Sequence, residues 1–129
     1  MRIIPSLIVL LAASSCTSPK DPGYASIGGE VHDASGTSLA DTRVRITCPG
    51  ASAPVEARTT SPIRDGTGAQ VGSAYSAFVE VPGLIQSGGA SLACRFEAPD
   101  VSTGPLAKVR TVGFYPLGVP MPLQRVDLP

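Results

Sequence analysis

Tryptophan and asparagine are missing from this 129-residue chain, lysine stands only at Lys20 and Lys108, and histidine only at His32. Each shortage excludes something. A single imidazole gives one nitrogen ligand and no second ligand at a metal-binding spacing, so no metal site is expected. Ten basic residues balance ten acidic ones. No basic patch points to nucleic acid, and no acidic run suggests a solvating tail. Aromatic residues are few, with three Tyr and three Phe, which makes a sugar-stacking platform the weaker expectation. No stretch of useful length shows helical periodicity. The apolar run from Ile3 to Ala13 falls short of the roughly 20 residues needed to span a bilayer.

What is plentiful is glycine, at 14 residues, and proline, at 13. Such a composition disfavours long helices and suits short strands joined by many turns. The alternation predicts strands over Ser26–Asp33, Thr42–Cys48, Tyr75–Val81 and Ser91–Glu97, with a weaker one over Val55–Thr60. In the second of these, Val44, Ile46 and Cys48 share one face. Ala107–Tyr115 reads as a strand whose Val109 and Val112 need a bulge to share a face. Leu123–Leu128 is expected as a short last strand on an edge. Ser61–Gly72 reads as a glycine-containing loop, and Leu84–Gly89 as a short helical turn. Pro82-Gly83 and the prolines of Pro116–Pro122 end their strands. The expected fold is all-β, a single antiparallel sandwich of about seven short strands, transthyretin-like or immunoglobulin-like.

At the amino end, Arg2 precedes the apolar run, which closes in Ala12-Ala13-Ser14-Ser15-Cys16. This is the pattern of a secretory leader. Ala13-Ser14-Ser15-Cys16 resembles the lipobox of bacterial lipoproteins, with Ala13 where that family usually has leucine. The resemblance implies removal of residues 1–15 and lipid on Cys16, which would tie the protein to a membrane of the bacterial envelope. Thr17 after the cysteine favours the outer membrane by analogy with enteric bacteria. Removing 15 of 129 residues leaves 114, enough for one domain with a small core. Residues 16–25 are expected to be the lipidated cysteine and a flexible tether, and 26–129 the domain. With Cys16 acylated, Cys48 and Cys94 remain to pair in an oxidising compartment, the alternative being two buried thiols. Both fall on inward faces, as a bridge across a two-sheet sandwich requires.

Gly29, Val31, Asp33, Gly36, Leu39 and Val44 resemble the opening hairpin of carboxypeptidase-regulatory-like domains. That resemblance implies a transthyretin-like sandwich in which Asp33 caps the turn and Leu39 tucks beneath it. Ser38, Asp41 and Thr42 depart from the family's usual Pro and Gly-Ala. The resemblance carries no activity.

No catalytic residues and no cofactor are expected. His32 beside Asp33 and Asp41 reads as an exposed histidine. Ser87-Gly88-Gly89 is not a nucleophile elbow. Gly66–Gly72 lacks the phosphate-loop pattern, and Asp65 has too few neighbouring carboxylates for calcium. Two surfaces remain as candidate contacts: a stripe of Arg43, Arg45 and Arg58, diluted by Glu30 and Glu56, and the apolar segment 114–121. The expected role is a non-catalytic structural or interaction module with an envelope protein as partner. The alternative is a small-molecule or carbohydrate-binding module, which needs Tyr75, Phe78 or Tyr115 coplanar and exposed.

Overall fold

The computed structural model describes residues 20–86 and 89–129. Cys16 and the leader lie outside the described residues, as do Ser87 and Gly88. Eight strands follow one another: β1 Asp21–Glu30, β2 Arg43–Thr47, β3 Val55–Arg58, β4 Ser61–Arg64, β5 Gln70–Ile85, β6 Ala90–Ala98, β7 Leu106–Phe114 and β8 Leu123–Arg125. They form two four-stranded sheets, ordered β4-β5-β1-β8 and β3-β2-β6-β7. All pairings are antiparallel except that of β8, which runs parallel to β1. The fold is the expected all-β sandwich.

Alternation decides which side chains fill it. Ile27, Tyr75 and Val79 from the first sheet meet Val44, Phe96 and Phe114 from the second, all essentially inaccessible. Burying a side chain of this size contributes about 1.5–3 kcal/mol. The Tyr75 hydroxyl donates to the Val126 carbonyl at 2.7 Å. Its burial, and the nearby Asp127 charge, push the phenol above its ordinary pKa.

Where the chain passes from β3 to β4 it also changes sheets. Thr59 sits fully buried at this corner. Its hydroxyl donates to the Leu39 carbonyl at 2.7 Å and accepts from the Thr42 amide at 2.9 Å. A buried hydroxyl without such partners would cost about 1–3 kcal/mol.

Several expectations are corrected. The first strand begins at Asp21, not Ser26, so 21–25 is not tether. Gly23, Tyr24 and Ala25 pair with Val81, Glu80 and Val79, and Ala25 is buried. Ser61–Gly72 is not a loop but a hairpin, with Ser61 opposite Ala74 and Ile63 opposite Gly72. β5 continues through Pro82-Gly83 to Ile85, so Leu84 is in a strand rather than a helical turn. β7 carries no bulge against β6. Val112 simply points inward and Val109 stays exposed.

The hairpin turn repeats an earlier one. In Asp33-Ala34-Ser35-Gly36-Thr37, the Asp33 carboxylate accepts from the Ser35 amide and hydroxyl and from the Thr37 amide. In Asp65-Gly66-Thr67-Gly68-Ala69, Asp65 accepts from the same three positions. Gly36 and Gly68 both hold φ of 85°, a region open chiefly to glycine. The bond from the side chain of Ser35 in one case, and Thr67 in the other, holds each aspartate below the ordinary carboxylate pKa. The Asp33 turn does cap as expected, and Leu39 packs partly against the core. The hairpin is short, with His32 bridged to Ser38 and the Leu39 amide donating to the Val31 carbonyl at 2.8 Å, and beyond it β1 and β2 part into different sheets.

Cys48 and Cys94 form a disulfide with Cα atoms 4.4 Å apart. Both face the core, but the bridge does not join the two sheets. β2 and β6 are neighbours in the second sheet, and Cys48 follows Thr47, which pairs with Arg95. The bridge therefore fastens adjacent strands.

Candidate functional site

The outer face of the first sheet holds the site. Its outward residues stand in rows set by the strand register. One row is Leu123, Ser26, Phe78; the next is Arg125, Gly28, Ser76; the third is Glu30, Ala74, Ser61. Glycine, alanine and serine fill the middle, so the surface dips there. Leu123 and Ile63 stand as rims on the two outer strands. The result is an open, mainly apolar groove of about 330 Å³. Gly28 keeps the floor low: a Cβ there would lie 3.1 Å from the Tyr75 carbonyl, a tight approach, and would touch the Leu123 side chain at 3.5 Å.

The two ends differ in chemistry. At one, the Phe78 ring stacks on Tyr24 with centroids 5.4 Å apart and planes inclined by 27°. Phe78 is 54 % exposed and Leu123 68 %, which makes this end an apolar surface. At the other, Arg125 donates to Glu30 at 2.6 Å and to Asp127 at 3.0 Å. Asp127 also accepts the Glu30 amide at 2.8 Å. Burial opposes the Asp127 carboxylate, but the Glu30 amide and Arg125 outweigh it and lower its pKa. The bond to Asp127 raises the Arg125 guanidinium in turn. This cluster spends its charges on itself.

No family model, curated protein or solved structure matches the chain. The functional reading therefore rests on geometry and on the residues themselves.

His32, expected to be exposed, is half-buried at the charged end. One ring nitrogen lies 3.5 Å from Glu30 and the other 3.3 Å from the Leu128 carbonyl. Both nitrogens face oxygen acceptors of the chain itself. Among the described residues, no group of three or more His, Cys, Asp or Glu side chains could hold a metal ion.

The arginine stripe exists but is neutralised. Arg43 bonds Asp100 at 3.0 Å and Glu56 at 3.1 Å, and Arg58 reaches Asp41 at 3.3 Å. Arg45 shares Glu56 at 3.7 Å. The bond to Arg43 lowers the Asp100 pKa. An anionic partner would have to displace these carboxylates. The segment 114–121 divides: Phe114 is buried, while Leu117 is 73 % exposed and Val119 43 %.

Sequence reasoning missed the groove. Its floor residues are small and scattered over Gly28, Ala74 and Ser76. Only the register of β1 against β5 brings them together, and no periodicity reveals that register.

Proposed function

We propose that this protein is a lipid-anchored module of the bacterial envelope, acylated on Cys16, whose sandwich works without catalysis by binding a partner protein. One observation supports the anchor most directly. The Cys48–Cys94 bridge accounts for two of the three cysteines, which leaves Cys16, directly behind a short apolar leader, as the residue to acylate. The intact mass of membrane-extracted protein tests this. The expected chain lacks residues 1–15, carries lipid mass, and exposes two alkylatable thiols only after reduction. A chain without lipid refutes the anchor.

The groove on the first sheet is the proposed partner face. Its floor is uncharged, Leu123 and Ile63 form its rims, and the exposed Phe78 lies on the same face beside it, which suits an extended apolar segment of an envelope protein. Tyr75 is buried and Tyr115 half-buried, so Phe78 alone of the three residues is broadly exposed. A sugar platform is correspondingly disfavoured. The resemblance to carboxypeptidase-regulatory-like domains is supported by the Asp33 turn and the packing of Leu39. A photoreactive residue placed at Ser76 should give a discrete adduct that Ala74→Trp, by filling the groove, removes. Equal adducts from Ser76 and from Ala93 on the other sheet would refute this face.

A further inference from the structure

The strand directions sort the connections into two ends. β1 starts at one end of the sandwich, and the connections 48–54 and 115–122 lie at that end. Register places each of them. Asp21, at the start of β1, pairs with Ile85, where β5 finishes. Tyr115 pairs with Tyr24, and Leu123, where 115–122 finishes, pairs with Ser26. Gly50 approaches Val81, the partner of Gly23. Neither of these connections contains Asp, Glu, Lys, Arg or His. The opposite end is different in kind. Its connections and the chain end there carry Asp33, Asp41, Asp65, Asp100 and Asp127, half of the ten acidic residues.

We infer that the end with the uncharged connections, where Lys20 and Asp21 are the flanking charges, is a membrane-seating surface, with the loop Pro116–Pro122 resting in the lipid interface. The inference rests on the lipid anchor proposed above and assigns the anchored domain an orientation. Because β1 begins at Asp21, only Thr17–Lys20 separates Cys16 from the folded domain. Five Cα steps reach at most about 18 Å, so the end that bears Asp21 cannot stand far from an anchored lipid. The loop beside it suits that position. Leu117 and Pro116 flank Asp21 and Pro22, and Leu117 and Val119 project their side chains outward. Apolar side chains of this kind bury about 5–10 Å into the headgroup boundary.

The chain has no tryptophan, so a single indole reports its own surroundings. The full chain carrying Leu117→Trp, or Ser102→Trp at the opposite end as the control, is reconstituted in phosphatidylcholine–phosphatidylglycerol vesicles. Lipids with brominated acyl chains serve as quencher, and intact mass records the lipid on Cys16. The expected result is about twofold or greater quenching and a blue shift for Leu117→Trp, with Ser102→Trp unaffected by bromine and open to iodide. Lipid mass without quenching at Leu117→Trp overturns the seating surface and leaves the anchor standing. Absence of both overturns both. Quenching without lipid mass overturns the anchor alone and shows that the loop binds lipid by itself.

Discussion

Gly29→Ala should be the most destructive small substitution in the protein. A Cβ at Gly29 would stand 2.1 Å from the Val126 carbonyl oxygen and 2.7 Å from its carbon. An ordinary carbon–oxygen approach is about 3.3 Å, so the obstructing backbone must retreat by about 1.2 Å. It is held on several sides. The Val126 amide donates to Gly28 at 2.9 Å and the Leu128 amide to Glu30 at 2.9 Å. Tyr75 donates to the very carbonyl that must move. Losing two ordinary hydrogen bonds costs about 1 kcal/mol each, and leaving the buried Tyr75 hydroxyl unsatisfied costs about 1–3 kcal/mol. The sum is about 3–5 kcal/mol, or about 12–20 °C in Tm for a domain of this size. Thermal unfolding followed by circular dichroism measures it. A double-mutant cycle with Tyr75→Phe sharpens the test, because the phenol bond can be lost only once. Tyr75→Phe should cost less in the Gly29→Ala background than alone. A Tm within about 3 °C of the native protein, or fully additive costs, would show that β8 is not held against β1 as described.

Three further outcomes are expected. Replacing Cys48 and Cys94 by serine opens a loop of 46 residues and should cost about 4 kcal/mol in the chain-entropy treatment, read as a lower urea midpoint that equals that of the reduced native protein. Gln124 spans the two sheets by accepting from the Gly113 amide at 2.8 Å and donating to its carbonyl at 2.7 Å; Gln124→Glu sets a carboxylate against that carbonyl, and should destabilise by about 1–3 kcal/mol and deprotect the Gly113 amide in hydrogen exchange. Asp33, Asp65, Asp100 and Asp127 all titrate below the ordinary 3.8, so their stabilisation is present above that value and is lost as pH falls through their lowered pKa values; the urea midpoint should stay level from neutral pH to about 5 and decline below about 4, and Asp33→Asn with Asp65→Asn should flatten that decline.

The strands with clean alternation, β2 and β6, were legible because inward and outward residues differ in polarity at every step but Ala93. The start of β1 was not. Pro22 and Gly23 carry the local signature of a tether, and only pairing with the late part of β5 overrides it. β4 was hidden for a related reason. The run Asp65-Gly66-Thr67-Gly68 looks loose in composition, although it repeats the chemistry of Asp33-Ala34-Ser35-Gly36, a turn that was read correctly. Comparing the two would have exposed the hairpin. The inward phase of both cysteines was legible, but their placement on neighbouring strands was not, since face does not determine sheet order. The arginines of β2 and β3 were visible as a stripe, whereas Asp100 and Asp41, which neutralise it, arrive from distant connections.

The parallel pairing of β8 with β1 bears on the timing of folding. Ser26 meets Leu123 across 97 intervening steps of chain, nearly the whole domain. Closing a flexible loop of that length costs about 4 kcal/mol in entropy beyond a constant, and no local contact can defray it. The first strand to emerge during synthesis must therefore wait for the last before its sheet is complete. Until then one side of β1 stays open, and its amides and carbonyls are available to any other extended segment. A domain built this way completes its fold only when its final residues are present, so a truncation after Pro122 should leave an unfinished sheet rather than a slightly smaller protein.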